Sequence, residues 1–171
     1  VDQYFAQEVY YVVDTVVERL LEDKNRRFMY VETGFFARWW DQQNDAKRNA
    51  TRTLVQEGRL EFINGGWCMH DEASPNYTAM VDQTTRGHQF LKKNFGAAGR
   101  PRGTWQIDPF GHSNTEAWLL GAAAGMESLF WGRTDYQDES MRKEQSRLEW
   151  IWQGSESNPE YVPYKQMNSP F

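Results

Sequence analysis

Apolar residues in this chain alternate between short unbroken runs and longer stretches where they recur every three or four positions. Val9, Val12, Val13, Val16, Leu20 and Leu21 share one face at helical spacing, with charges opposite, and predict a helix over residues 6–22. Residues 27–31, Arg-Phe-Met-Tyr-Val, read as a short buried strand ending in Glu32. Trp39, Trp40, Gln43, Ala50, Leu54 and Val55 form the stripe of one long helix over 35–57, stopped by Gly58. Residues 60–63 are a strand running into Asn64-Gly65-Gly66-Trp67, where paired glycines permit positive φ or a close backbone approach. Ser74 and Pro75 suit the N-cap and first turn of a helix that ends at Phe95. Its apolar face carries Tyr77, Met80, Val81, Thr84, His88, Leu91 and Phe95, so His88 reads as a hydrogen-bonded core histidine.

The second half repeats the pattern. Residues 103–107 form an apolar strand, and Asp108 follows at its carboxyl end. Pro109 forces Asp108 to stay extended and cannot continue the ladder. Ser113 and Glu116 have capping-box spacing, which opens a helix running to Ala124. Residues 128–131 are a further strand whose end presents Gly132 and Arg133. Four or five such units of 30–45 residues, without hairpin signals, predict an α/β fold with a largely parallel sheet and covering helices. Residues 153–171, with Pro159, Pro163 and Pro170, read as irregular. Ligands of parallel α/β folds sit beyond the carboxyl ends of the strands, so Asp108 is the first candidate for chemistry. Glu32 occupies a similar place but reads as a solvated or capping carboxylate. The Gly65-Gly66 pair lacks the flanking residues of a phosphate loop.

Bulk properties narrow the field. A chain of 171 residues suits one domain, and a net charge of −5 without a basic cluster argues against nucleic acid. No apolar run reaches the ~20 residues of a membrane span. The single cysteine, Cys68, excludes an internal disulfide and reads as a small buried hydrophobe. Aromatic residues make up 15% of the chain, which is high: most of these rings should form an aromatic-rich core, and some can stack on sugars. Asn49-Ala50-Thr51 and Asn76-Tyr77-Thr78 are glycosylation sequons and lean toward the secretory route.

Five segments then combine: Phe-Phe-Ala-Arg-Trp-Trp (35–40), Phe-Ile-Asn-Gly-Gly-Trp (62–67), Asp-Glu-Ala (71–73), Trp-Gln-Ile-Asp-Pro-Phe-Gly-His-Ser (105–113) and Gly-Arg-Thr-Asp-Tyr-Gln-Asp (132–138). In order and in spacing the chain resembles glycoside hydrolase family 38, the α-mannosidases, and most of all their lysosomal or acidic class II branch. The resemblance implies that residues 1–152 are part of the N-terminal catalytic domain, within a seven-stranded β/α barrel-like structure that needs strands from outside this chain. It leaves 153–171 unassigned. The opening Val-Asp-Gln-Tyr-Phe, without a signal peptide or initiating Met, is expected to come from something longer, with about ten residues of the family's usual connection missing near 5–8.

The implied activity is a zinc-dependent, retaining exo-hydrolysis of terminal α-mannose on N-glycans, in the lysosome or secreted. The resemblance makes Asp108 both the nucleophile and a zinc ligand. It makes Arg133 the group that orients Asp108, and Phe110 and Tyr136 substrate contacts, with Asp135 and Asp138 as weaker candidates. His112, despite its Asp-x-x-x-His spacing, is expected to cap or hydrogen-bond rather than bind metal, and His70 is not expected to be a ligand. The family's remaining zinc ligands, a His-x-Asp pair and a further histidine, and its acid/base aspartate would lie outside these residues. No His-x-Asp occurs in the chain, and a lone carboxylate cannot fill a zinc site. The isolated polypeptide is therefore expected to be inactive and to need the rest of the same enzyme as partner; a homo-oligomer stays open. Two other readings remain: a different metal-dependent carbohydrate hydrolase such as a deacetylase, and a non-catalytic component of a larger assembly. The deacetylase reading does not account for Asp-Pro-Phe-Gly-His-Ser.

Overall fold

A computed structural model describes residues 1–74 and 76–166. Pro75, expected at the start of a helix, and residues 167–171 of the segment expected to be irregular lie outside the described residues. The chain forms two compact units, Val1–Met69 with Thr78–Pro101, and His70–Tyr77 with Arg102–Phe171.

The first unit opens with α1 (Asp2–Tyr4), a π-helical stretch Phe5–Val9 and α2 (Tyr10–Glu22). Val13, Val17 and Leu20 are buried, whereas Val12 and Leu21, expected on the inner face, are exposed. The apolar arc is wider than the contact: at 100° per residue Val12 and Leu21 fall at its two margins. The expected long helix over 35–57 is two helices, α3 (Thr33–Asp41) and α4 (Asp45–Gln56). Asn44 makes the break by capping α4, its side chain accepting from the Lys47 N–H at 2.9 Å. Gly58, with φ +64°, ends that helix as expected.

β1 (Phe28–Tyr30) and β2 (Leu60–Phe62) pair in parallel, Phe28 opposite Leu60. β2 buries Leu60 and Phe62 and turns Glu61 outward. β1 is not the buried strand expected, since Phe28 and Met29 are exposed. β2 is the only strand it pairs with among the described residues. The core is aromatic, as the composition suggested. Phe36 is 1% exposed and touches the rings of Trp39, Trp40, Phe62 and Phe95. Fully burying such a ring contributes about 1.5–3 kcal/mol. α5 (Tyr77–Phe95) closes this core with Leu91 and Phe95, while Tyr77 and Val81, expected inward, are exposed. Gly87 of α5 passes against the Gly65 carbonyl, and a Cβ there would collide with it. His88 is hydrogen-bonded as expected, its Nε2 2.9 Å from the Asn64 carbonyl oxygen.

The second unit is a four-stranded sheet in the order β3-β4-β6-β5. β3 (Gly103–Gln106) and β4 (Ser128–Trp131) are parallel, as are β4 and β6 (Asn158–Gln166). β5 (Glu149–Ser155) and β6 form an antiparallel hairpin. This corrects two expectations, the absence of hairpins and the irregular reading of residues 153–166. The turn cluster Ser155-Glu156-Ser157-Asn158-Pro159 between aromatic runs was the signal. Among the described residues β4 meets β6 through residues 164–166, beyond Pro159 and Pro163, so that ladder loses no donor to either proline. α6 (Asn114–Glu116) continues into a π-helical stretch Ala117–Ala123, and α7 (Tyr136–Glu144) follows β4. Ala117, Leu129 and Trp131 form the unit's core, with Trp150 and Trp152 packed on it. The fold is mixed α/β with short parallel strands.

Candidate active site

The β3 ladder ends at Gln106, one residue short of the expected strand end, and Ile107 leads to Asp108. At the end of β4 the Gly132 N–H reaches the Gln106 carbonyl at 3.4 Å. A Cβ on Gly132 would stand 2.5 Å from the Ile107 carbonyl oxygen, so only a residue without a side chain lets the two strand ends close this far. That approach sets Arg133 opposite Asp108. Arg133 Nε and Nη2 donate to the same carboxylate oxygen, Oδ1, at 2.8 and 2.6 Å. Among the described residues no donor meets Oδ2. The pair is open to solvent, 65% exposed at Asp108 and 52% at Arg133. Screening makes such a pair worth little as stabilisation, so its consequence here is orientation.

Phe110 is 86% exposed, and the Arg133 guanidinium carbon stands 4.6 Å from its ring centre. A flat exposed ring beside a fixed carboxylate is a surface on which a sugar can stack. Phe110, Gly111, His112, Arg133, Thr134, Asp135 and Asp138 line a concavity of about 500 Å³. Tyr136 is exposed but is not among those lining residues. Asp135 caps α7, accepting from the Gln137 and Asp138 N–H groups at 2.9 and 3.1 Å. Asp138 is held by Arg142 Nε at 2.6 Å. The structure therefore brings Asp108, Arg133 and Phe110 together and gives Asp135 and Asp138 local partners on α7.

Beneath this surface lies a polar network that the spacing of residues did not foretell. His112 Nδ1 is 2.9 Å from Glu72 Oε1, and its Nε2 is 2.7 Å from the Arg133 carbonyl oxygen. Glu72 Oε2 accepts from the Ser113 N–H at 2.6 Å. Ser113 caps the following helix as expected, accepting from the Glu116 N–H at 3.4 Å. The Glu116 side chain does not return to complete a capping box. It is buried, with Oε1 2.7 Å from His70 Nε2, ion-pair distance without hydrogen-bond alignment. The sequence signal for Glu72 was an acid within a short motif that had no assigned chemistry.

Among the described residues no group of three or more His, Cys, Asp or Glu side chains could hold a metal ion. Asp108 can offer one open carboxylate oxygen. Both His112 ring nitrogens are engaged, which fits its expected hydrogen-bonding role. The residues present therefore fit one corner of a metal site and not a whole one.

The other candidates lie elsewhere. Glu32 Oε1 accepts from the Met69 N–H at 3.2 Å, and burial pushes its carboxyl pKa up against the lowering effect of that bond. Cys68 is exposed, not the buried hydrophobe expected, and partial burial followed by the Glu32 charge raises its thiol pKa. Asn49 sits within α4 and accepts from Arg52 Nη1 at 2.8 Å, while Thr51 of its sequon is fully buried. Asn76 is exposed just before α5. No described helix is long and apolar enough to cross a membrane.

The candidate site is thus an exposed carboxylate beyond the end of one parallel strand, clamped by a guanidinium beyond the end of its neighbour and flanked by an open aromatic ring, on a mixed α/β fold. Residues 1–169 match the N-terminal domain of glycosyl hydrolases family 38, and the chain belongs to that family. It is 54% identical over 165 residues to an α-mannosidase of Arabidopsis thaliana and 50% identical to the lysosomal α-mannosidase of Mus musculus. Each alignment covers 92% of this chain and 16% of the relative, so the chain spans about a sixth of their length. Among solved structures, an α-mannosidase from Enterococcus faecalis aligns over 96% of this chain and 18% of that one, at a TM-score of 0.69 and 16% identity. A 4-α-glucanotransferase from Thermococcus litoralis aligns over 90% of this chain and 23% of its own, at a TM-score of 0.64 and 17% identity. At such identities these two likenesses concern the fold.

Proposed function

We propose that this chain is the nucleophile-bearing part of a retaining exo-α-mannosidase that removes terminal α-mannose from N-glycans in the lysosome or secretory route. The barrel-like seven-stranded domain, of which residues 1–152 would be a part, belongs to the same proposal. One observation carries the mechanism: Arg133 grips a single oxygen of Asp108 and leaves Oδ2 open. A nucleophile needs one free lone pair, and a fixed plane aims it. In the first step Oδ2 forms a bond to the anomeric carbon. The glycosidic C–O bond breaks, and the departing oxygen takes a proton from an acid outside this chain. Water then attacks the anomeric carbon, gives its proton to that same outside group, and breaks the ester bond to release the Asp108 carboxylate. The Arg133 cation offsets the carboxylate charge before attack, Phe110 offers its face to the sugar ring, and exposed Tyr136 is a weaker candidate contact.

A zinc ion belongs to the proposal with Asp108 as its only ligand from this chain, and such a cation would keep the carboxylate ionised and bind sugar hydroxyls. The mannosidase names of the relatives and the lysosomal setting of several of them support the substrate class and the compartment. Asn49 and Asn76 are the proposed glycosylation sites, and Asn49 would have to be modified before α4 folds.

The test is hydrolysis of p-nitrophenyl α-mannoside by the enzyme expressed from its complete reading frame, with and without zinc. Asp108→Asn is expected to lower kcat by about 10³-fold or more, because an amide oxygen does not form the glycosyl ester. A fluorosugar that traps the intermediate is expected to label Asp108. A label on another acid, with Asp108→Asn still active, overturns the assignment.

A further inference from the structure

Glu72 is a buried acid for which the chemistry above has no use. It follows Asp71 in a tight turn: Asp71 Oδ1 accepts from the Ala73 N–H at 2.9 Å, and the Asp71 carbonyl accepts from the Ser74 N–H at 3.0 Å. The turn sends the Glu72 side chain inward, where it is 5% exposed. One oxygen meets the His112 ring and the other takes the Ser113 N–H. His112 in turn lies against Trp131, with ring centres 4.1 Å apart, and reaches the Arg133 carbonyl oxygen.

Proton counting sharpens this contact. A carbonyl oxygen can only accept, so His112 Nε2 carries a hydrogen. Nδ1 in turn lies 2.9 Å from a Glu72 carboxyl oxygen. The ring is hydrogen-bonded at both ends and only 8% exposed, and such contacts are stiff. Both flanks of Asp108 are thereby tied to one carboxyl group. The loop that follows Asp108 is held at Ser113 and His112, and the backbone of its guanidinium partner is held at Arg133.

We propose that Glu72 is a positioning residue: acting through His112, it fixes the Arg133 backbone and the loop after Asp108, so that Arg133 presents Asp108 with Oδ2 free. The inference rests on Asp108 being the nucleophile. Glu72 is not bonded to Asp108, and its effect passes through two intervening residues, His112 and Arg133. Displacing a reacting group by about 1 Å costs on the order of 100-fold in rate, and losing a partner behind a ligating side chain costs about 10–100-fold.

The experiment compares Glu72→Ala, Glu72→Gln, His112→Gln, the double variant Glu72→Ala/His112→Gln and Asp108→Asn in the complete enzyme. Active sites are counted by fluorosugar labelling, so that kcat is expressed per competent site. Glu72→Ala is expected to lower kcat per site about 10–100-fold with KM within about twofold. Glu72→Gln, which keeps one acceptor, is expected to fall between Glu72→Ala and wild type. The double variant is expected to be no worse than Glu72→Ala, since both residues act along one path. If Glu72→Ala does not fold, Glu72→Gln and His112→Gln decide the matter by the same split. Three results overturn the proposal while Asp108→Asn is inactive: wild-type kcat per site in the Glu72 variants, a loss only in the number of competent sites, or losses that multiply in the double variant. An active Asp108→Asn enzyme removes the nucleophile assignment itself, and the positioning role with it.

Discussion

At Gly132 a hydrogen stands where any other residue would carry carbon, and the clearance is set by the Ile107 carbonyl oxygen. Gly132→Ala forces the ends of β3 and β4 apart, because a backbone carbonyl cannot swing aside as a flexible side chain would. The expected outcome is a stability loss of about 1–3 kcal/mol together with a kcat loss of at least about tenfold, read by urea unfolding and steady-state kinetics. Glu32 makes a different point at the same scale. Burial raises its pKa above the ordinary carboxyl value of 4.5. The folded protein therefore holds that proton more tightly than the unfolded chain. This contribution to stability is fully present below the unfolded pKa and is lost as pH rises through the raised, folded value. Glu32→Gln keeps an acceptor for the Met69 N–H and removes the buried charge. Its urea midpoint is expected to match wild type at pH 4 and to exceed it at pH 7. A midpoint unchanged or lower at pH 7 contradicts the reading.

Elements were legible where one physical signal dominated. The β-strands at 28–30, 60–62, 103–106 and 128–131 follow apolar runs bounded by turn residues. α5 carries its periodicity over 19 residues. Errors arose where two signals competed. The stripe of Trp39, Trp40, Leu54 and Val55 is continuous, and it hid the capping residue Asn44, which breaks the helix in two. The prolines at 159 and 163 concealed a hairpin whose aromatic runs were in plain view. α7 has no buried residue, and Tyr136 and Met141 are its only large hydrophobic side chains, so no apolar stripe announced it. Gly87 tests how an element and its neighbour are matched. Alanine favours a helix by about 1 kcal/mol over glycine, yet its methyl group would strike the Gly65 carbonyl. The steric term is expected to win, and Gly87→Ala to destabilise by about 1–3 kcal/mol in thermal unfolding. An unchanged or raised Tm would mean that α5 can move away from that turn.

At the scale of the molecule, much of the candidate site was visible in advance. Asp108, Phe110 and Arg133 stand together; the strand end pointed to Asp108, and the resemblance carried by residues 105–113 and 132–138 pointed to the other two. What could not be read was the support, because Glu72 and His112 are forty residues apart and belong to no shared periodic element. The division into two units explains why: the short piece His70–Tyr77 is bounded on both sides by the first unit and yet belongs to the second. Residues 102–171, cut out as a tidy contiguous block for expression, would leave Glu72 behind. A protease nick between exposed Ala73 and Ser74 would have a similar reach, slackening the grip on His112 although the peptide bonds around Asp108 stay whole.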